Sequence, residues 1–136
     1  MRGGILGILK RFLAFFIVVS ALSSAEISKS DMADLIKKCE LKDGESCHKI
    51  AYHYANGGSD SPRFFKEDSA KKEAYLMKAC DYDFAQSCYI LGLINYDNFY
   101  KKQGDKNEFK RKSKQFIKKA CDLDFEKACG ENWDLP

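Results

Sequence analysis

The chain has 136 residues, 45% hydrophobic and 32% charged, with only two prolines, a composition that excludes a disordered or fibrous protein and fits one globular domain. Its formal charge of +3 sits in the first segment, where Arg2, Lys10 and Arg11 have no acidic counterpart before Glu26. The remainder is neutral and lacks the sustained basic field that nucleic-acid binding needs.

Residues 1–25 run from basic to apolar to small: the three basic residues, then Phe12 to Leu22, then Ser23-Ser24-Ala25. The apolar run of about eleven residues is too short to span a bilayer. Its flanks are those of a secretory signal peptide cleaved between Ala25 and Glu26. The expectation is a secreted or periplasmic protein formed by residues 26–136, with no stable membrane insertion after cleavage. No cysteine directly follows the apolar run, the first being Cys39, so a lipid anchor is not expected. A mature chain of 111 residues builds a small core that benefits from covalent ties.

The six cysteines supply them. Cys39 and Cys47, Cys80 and Cys88, and Cys121 and Cys129 are each eight apart, and successive pairs are 41 apart. Such register marks a repeated unit. Apolar doublets precede each first cysteine (Leu35-Ile36, Leu76-Met77, Phe116-Ile117), while Leu41, Tyr82 and Leu123 follow it. Ser46, Ser87 and Ala128 precede the second cysteines.

Helix formers with apolar residues at three- and four-residue spacing predict helices over Ala70–Cys80 and Lys110–Cys121. After the second cysteines, Cys47, Ile50, Ala51 and Tyr54 share one helical face, as do Cys88, Leu91, Gly92 and Asn95. No stretch alternates as a strand would, so the fold class is all-α. A continuous helix would hold cysteines eight residues apart at about 12 Å, beyond the roughly 7 Å limit for a bridge. A turn must therefore intervene, and in Glu40 to Ser46 Gly44 is suited to ending the helix. Of fifteen connectivities, the local one, 39 with 47, 80 with 88 and 121 with 129, respects the repeat and closes the shortest loops.

The unit Lys-Ala-Cys-Asp, a short turn, then Cys with an apolar residue three on, a small one four on and an aromatic seven on resembles the Sel1-like repeat in its cysteine-rich form. Tyr75 to Asp81 and Cys47 to Tyr54 carry the pattern best. That form resembles the exported Helicobacter cysteine-rich protein family, also called a β-lactamase family, over roughly residues 30 to 130. The resemblance implies a short α/α superhelix, or solenoid, of helix hairpins each tied by one disulfide. It also implies export, and either protein interaction or penicillin binding with slow β-lactam hydrolysis. The chain departs from the pattern at Asn95, where an aromatic is expected, and in two long loops, Gly57 to Asp68 and Asp97 to Asn107. Two full units of 41 residues are expected between a single helix before Cys39 and a truncated one beginning near Cys129 and capped by Trp133.

Chemistry independent of the resemblance is sparse. Ser-x-x-Lys occurs as Ser46 to Lys49 and Ser69 to Lys72, without Ser-Asp-Asn or Lys-Thr-Gly, so both serines are read as helix-start residues and no catalytic residue is assigned. His48 and His53, five apart on a helix, point about 140° apart and cannot share a metal. They are read as exposed polar residues. No metal or cofactor is expected. Residues 101–119 hold nine basic residues against Asp105 and Glu108, read as a solvated face opposite Phe109, Phe116, Ile117 and Ala120. The competing reading, with Lys110 and Arg111, is contact with an acidic partner. Phe64, Phe65, Phe99 and Tyr100 fall in the predicted loops and are candidate binding aromatics. Tyr75, Phe84, Phe116 and Phe125 are assigned to the core. The function expected is binding of a protein or cell-envelope partner through the concave face and loops. The alternatives are a weak β-lactamase taking a β-lactam or peptidoglycan-like ligand, and a periplasmic immunity protein.

Overall fold

A computed structural model describes residues 29–55, 68–101 and 104–130. The expected signal segment, Phe64, Phe65, Trp133 and most of the Gly57 to Asp68 loop lie outside the described residues. Six helices follow one another: α1 Lys29–Glu40, α2 Gly44–Ala55, α3 Ser69–Asp81, α4 Ala85–Lys101, α5 Lys106–Asp122 and α6 Glu126–Cys129. No strand occurs among the described residues.

The three cysteine pairs form the three local disulfides, Cys39–Cys47, Cys80–Cys88 and Cys121–Cys129, with Cα atoms 4.8, 4.8 and 4.9 Å apart. The turn that permits this is the same each time. Lys42, Asp83 and Asp124 adopt the left-handed conformation with φ of 68°, 59° and 62°. The next residue's N–H then reaches back five positions: Asp43 to the Lys38 carbonyl at 3.1 Å, Phe84 to Ala79 at 2.9 Å, Phe125 to Ala120 at 3.0 Å. This is the Schellman arrangement, which satisfies carbonyls that a helix end would leave unpaired. It turns the chain back within about three residues and brings the second cysteine beside the first.

Gly44 therefore does not end α1, as its sequence position suggested. Lys42 takes the left-handed position, and Gly44 opens α2. The glycine answers a packing need: a Cβ there would lie 2.9 Å from Phe84 Cβ, 3.0 Å from the Tyr82 carbonyl and 3.1 Å from the Ala79 carbonyl. It is the point where the α3–α4 turn crosses the start of α2.

The main helix contacts are all between consecutive helices. One apolar cluster joins Met32, Cys39, Cys47, Ile50 and Ala79, with Tyr82 and Phe84 packed against it. A second joins Ala51, Leu76, Cys80, Cys88, Leu91, Ile117, Ala120 and Ala128, with Leu123 and Phe125 against it. Tyr75 packs on both. Full burial of a residue such as Leu91 or Ile50 contributes about 1.5–3 kcal/mol. Of the apolar doublets, the inward residues are Leu35, Leu76 and Ile117, each four before its cysteine, while Ile36 and Met77 stay about one-third exposed at 37% and 38%. The third doublet is thus offset by one, with Phe116 matching Tyr75 rather than Leu76.

The connection expected from Asp97 to Asn107 is far shorter. α4 continues to Lys101, held by an Asp97–Lys101 ion pair at 2.7 Å. α5 starts at Lys106, where the Asp105 carboxylate accepts from the Glu108 N–H at 3.1 Å. Close approach of the two helices requires Gly92, whose absent Cβ leaves room for the Ile117 side chain, and the Ser113 hydroxyl donates to the Gly92 carbonyl at 3.0 Å. α6 ends at Cys129 rather than beginning there. Lys119 stitches α5 to the preceding turn, donating to the Cys80 carbonyl at 2.7 Å and pairing with Asp83 at 3.1 Å.

Candidate binding groove

Helices α2, α3 and α4 leave a groove between them. Its inner part, about 220 Å³, is lined by His48, Ala51, Tyr52, Lys72, Leu76 and Ile90 among others. An adjoining part of about 380 Å³ is lined by Ser69, Lys72, Glu73, Ile90, Ile94, Asp97 and Asn98 among others. Lys72 and Ile90 belong to both. The groove exists because α2 and α3 run side by side, with small residues Ala51 and Ala55 on the facing surface of α2.

His48 forms one wall. Its Nδ1 is hydrogen-bonded to the Ser87 hydroxyl at 2.8 Å, and its ring lies 4.8 Å from that of Phe84. Burial pushes its pKa below the ordinary histidine value, with Glu45 opposing and Lys49 reinforcing the shift, so a neutral imidazole faces the groove at neutral pH. His53 is buried, and its pKa is likewise lowered by burial. Neither histidine is the exposed polar residue that the sequence suggested. His48 occupies a helix face that the next hairpin covers through Phe84 and Ser87.

Tyr52 stands at the rim, 62% exposed. Lys72 is half-buried, on the first turns of α3 behind the Asp68 cap, whose carboxylate accepts from the Lys71 N–H at 2.9 Å. Of the neighbouring charges, Lys71 pairs with Asp68, Asp97 with Lys101 and Lys49 with Glu45, while the Glu73 carboxylate lines the outer part beside Lys72. The Lys72 ammonium has no ion-pair partner among the described residues. A lysine lining the pocket with Ile90 and Leu76 can hold an anionic group on a ligand whose apolar part fills the inner pocket.

Of the sequence-predicted binding residues, Phe64 and Phe65 are outside the described residues, and the other four lie away from the groove. Phe99 and Tyr100 belong to the last turn of α4 rather than to a loop, their rings 5.1 Å apart and edge-on. Phe99 is half-buried under Lys106, whose Nζ is 5.3 Å from the ring. Tyr100 is 54% exposed, and its hydrogen bond with Tyr96 pushes its phenol pKa upward. Lys110 and Arg111 lie on α5, where Arg111 donates to Gln115 at 3.2 Å. None of these four lines the groove. Opposite the basic face, Ile117 and Ala120 are buried and Phe109 and Phe116 half-buried.

Of the two Ser-x-x-Lys pairs, Ser46 is buried and hydrogen-bonded to the Asp43 carboxylate, and Lys49 is ion-paired. Ser69 and Lys72, one helical turn apart, both line the outer groove. That motif was the only sequence signal of the groove. The walls contributed by His48, Tyr52 and Ile90 had none, because they come from segments about forty residues apart. Among the described residues no cluster of His, Cys, Asp or Glu could hold a metal ion, and no helix is long and apolar enough to cross a membrane. Three disulfides fit an oxidising compartment.

No protein-family model matches the chain, and no curated protein or solved structure matches it.

Proposed function

We propose that this chain is an exported binding module, a short solenoid of Sel1-like hairpins each stapled by a disulfide, that holds a protein or cell-envelope component in the groove of α2, α3 and α4. The observation that carries this reading is Lys72, a half-buried residue that lines two cavities, walled by Ile90 and rimmed by the exposed Tyr52. The recurrence of one turn, one backbone hydrogen bond and one disulfide every 41 residues supports the repeat reading. The basic, apolar and small order of residues 1–25, with oxidised cysteines downstream, supports export by cleavage between Ala25 and Glu26.

Photo-crosslinking from position 52 in an envelope extract, followed by competition with the unlabelled protein, tests it. A saturable adduct is expected with the native chain and is lost in Lys72→Glu and Ile90→Glu but kept in Tyr100→Ser. Adducts indifferent to Lys72 and Ile90 would refute the groove as the binding surface.

A second reading, weak β-lactam hydrolysis, has one observation in its favour: Ser69 and Lys72 face the same cavity. It requires a penicilloyl mass adduct and turnover of a chromogenic cephalosporin, both abolished in Ser69→Ala. An unchanged mass with no turnover eliminates it.

A further inference from the structure

The three hairpins share one local geometry, yet their disulfides lie in different surroundings. Cys39, Cys47, Cys80 and Cys88 are each at most 2% exposed, whereas Cys121 is half-buried and Cys129 is exposed. Stacking order explains the difference. Tyr82 and Phe84, from the α3–α4 turn, pack on the cluster that contains Cys39 and Cys47. Leu123 and Phe125, from the turn after α5, pack on the cluster that contains Cys80 and Cys88. A cavity of about 450 Å³ lined by Asp124, Glu126, Cys129 and Gly130 opens beside the third bridge.

We propose that Cys121–Cys129 is a thiol–disulfide exchange site that accepts a dithiol reductant, while the two inner bridges stay closed. The reductant's thiolate attacks Sγ of Cys129, forming a mixed disulfide. The Cys121–Cys129 bond breaks, and its electron pair leaves on Sγ of Cys121, which takes a proton from water. The reductant's second thiol, deprotonated, then attacks the mixed disulfide and releases Cys129 as a thiolate that is protonated in turn. The reductant becomes a disulfide, and two electrons have passed to the protein. Asp124 and Glu126 beside Cys129 repel an anionic thiol such as glutathione and favour an uncharged dithiol.

The consequence is local. α6 has four residues, too few to hold a helical turn unaided. Apart from the bridge it is held by the buried Ala128, and Phe125 ahead of it packs at 5.1 Å from the Tyr89 ring. Reduction frees this end and uncovers the side of the second hairpin on which it packs.

The test uses the full oxidised protein, titrated with dithiothreitol or glutathione, quenched with iodoacetamide and mapped by peptide mass. Cys121 and Cys129 are expected to be labelled about a hundredfold faster than the other four cysteines, because buried bridges react only through openings that approach global unfolding. Dithiothreitol should outpace glutathione, and the singly reduced species should gain tryptic cleavage after Lys127. Simultaneous labelling of all six cysteines, or earlier labelling of an inner pair, overturns the proposal. A Cys121→Ser/Cys129→Ser chain should keep its two inner bridges unlabelled. If they are labelled as fast as in denaturant, the third bridge is a structural staple and the proposal fails.

Discussion

Replacing Gly44 by alanine tests how the first two hairpins meet. The added methyl would sit 2.9 Å from Phe84 Cβ, 3.0 Å from the Tyr82 carbonyl oxygen and 3.1 Å from the Ala79 carbonyl oxygen. Two of these are backbone atoms and the third is a Cβ, so no side-chain rotation relieves the clash and the α3–α4 turn must move away from α2. Overpacking of this kind costs about 1–3 kcal/mol. Alanine's advantage over glycine, about 1 kcal/mol in a helix interior, offsets part of this and is smaller in a first turn. The net loss is about 1–2 kcal/mol, which lowers the melting temperature by roughly 5–15 °C for a domain of this size. Circular dichroism melting of the oxidised protein reads it. Gly130→Ala is the control, since its nearest neighbour would be the Glu126 carbonyl at 3.8 Å and the expected change is within about 0.5 kcal/mol. If Gly44→Ala melts at or above the native temperature, the hairpins do not meet through this contact.

Lys42→Gly removes a side chain from a left-handed position that costs an L-residue roughly 1–2 kcal/mol; after glycine's larger unfolded entropy is subtracted, a gain of about 0.5–1 kcal/mol should appear in urea unfolding. Asp83→Gly should gain less, because it also removes the carboxylate that pairs with Lys119. Burial holds His48 and His53 below the ordinary histidine pKa; the folded state therefore binds fewer protons, and stability is complete above about pH 6.5 and falls as pH drops below it. Melting temperatures measured from about pH 7.5 to about pH 5.5 should decline, with a flatter slope in His48→Asn/His53→Asn. Complete reduction should remove about 2.5 kcal/mol per bridge in the chain-entropy model, together comparable with the whole stability of a small domain, so the reduced chain should lose its cooperative melt.

The helical class, the three disulfide pairings and the helix faces carrying Ile50, Ala51, Leu91 and Ile117 were legible in the sequence, because each rests on spacing within one segment. Where α4 ends was not. Asp97, Asn98 and Lys106 read as loop residues by type, but the Asp97–Lys101 pair, the burial of Asn98 and the Asp105 cap extend the two helices toward each other. Phe99 and Tyr100 moved with them from loop to helix. The histidines show the same limit, since a polar residue on a helix face gives no sign that a turn forty residues later will cover it, as Phe84 and Ser87 cover His48. Asn95, unexpected where the repeat pattern calls for an aromatic, is buried with its amide donating to the Leu91 carbonyl at 2.8 Å.

Local regularities were thus determined by the chain alone: the period of 41, the turn between paired cysteines and the helices on either side of it. The tertiary structure decided which residues come together across units, namely the reason for Gly44, the groove around Lys72, and the burial of two disulfides but not the third. The physical reason is that hydrogen bonds, caps and bridges within a hairpin are closed over a few residues, whereas burial depends on what the next hairpin places against it.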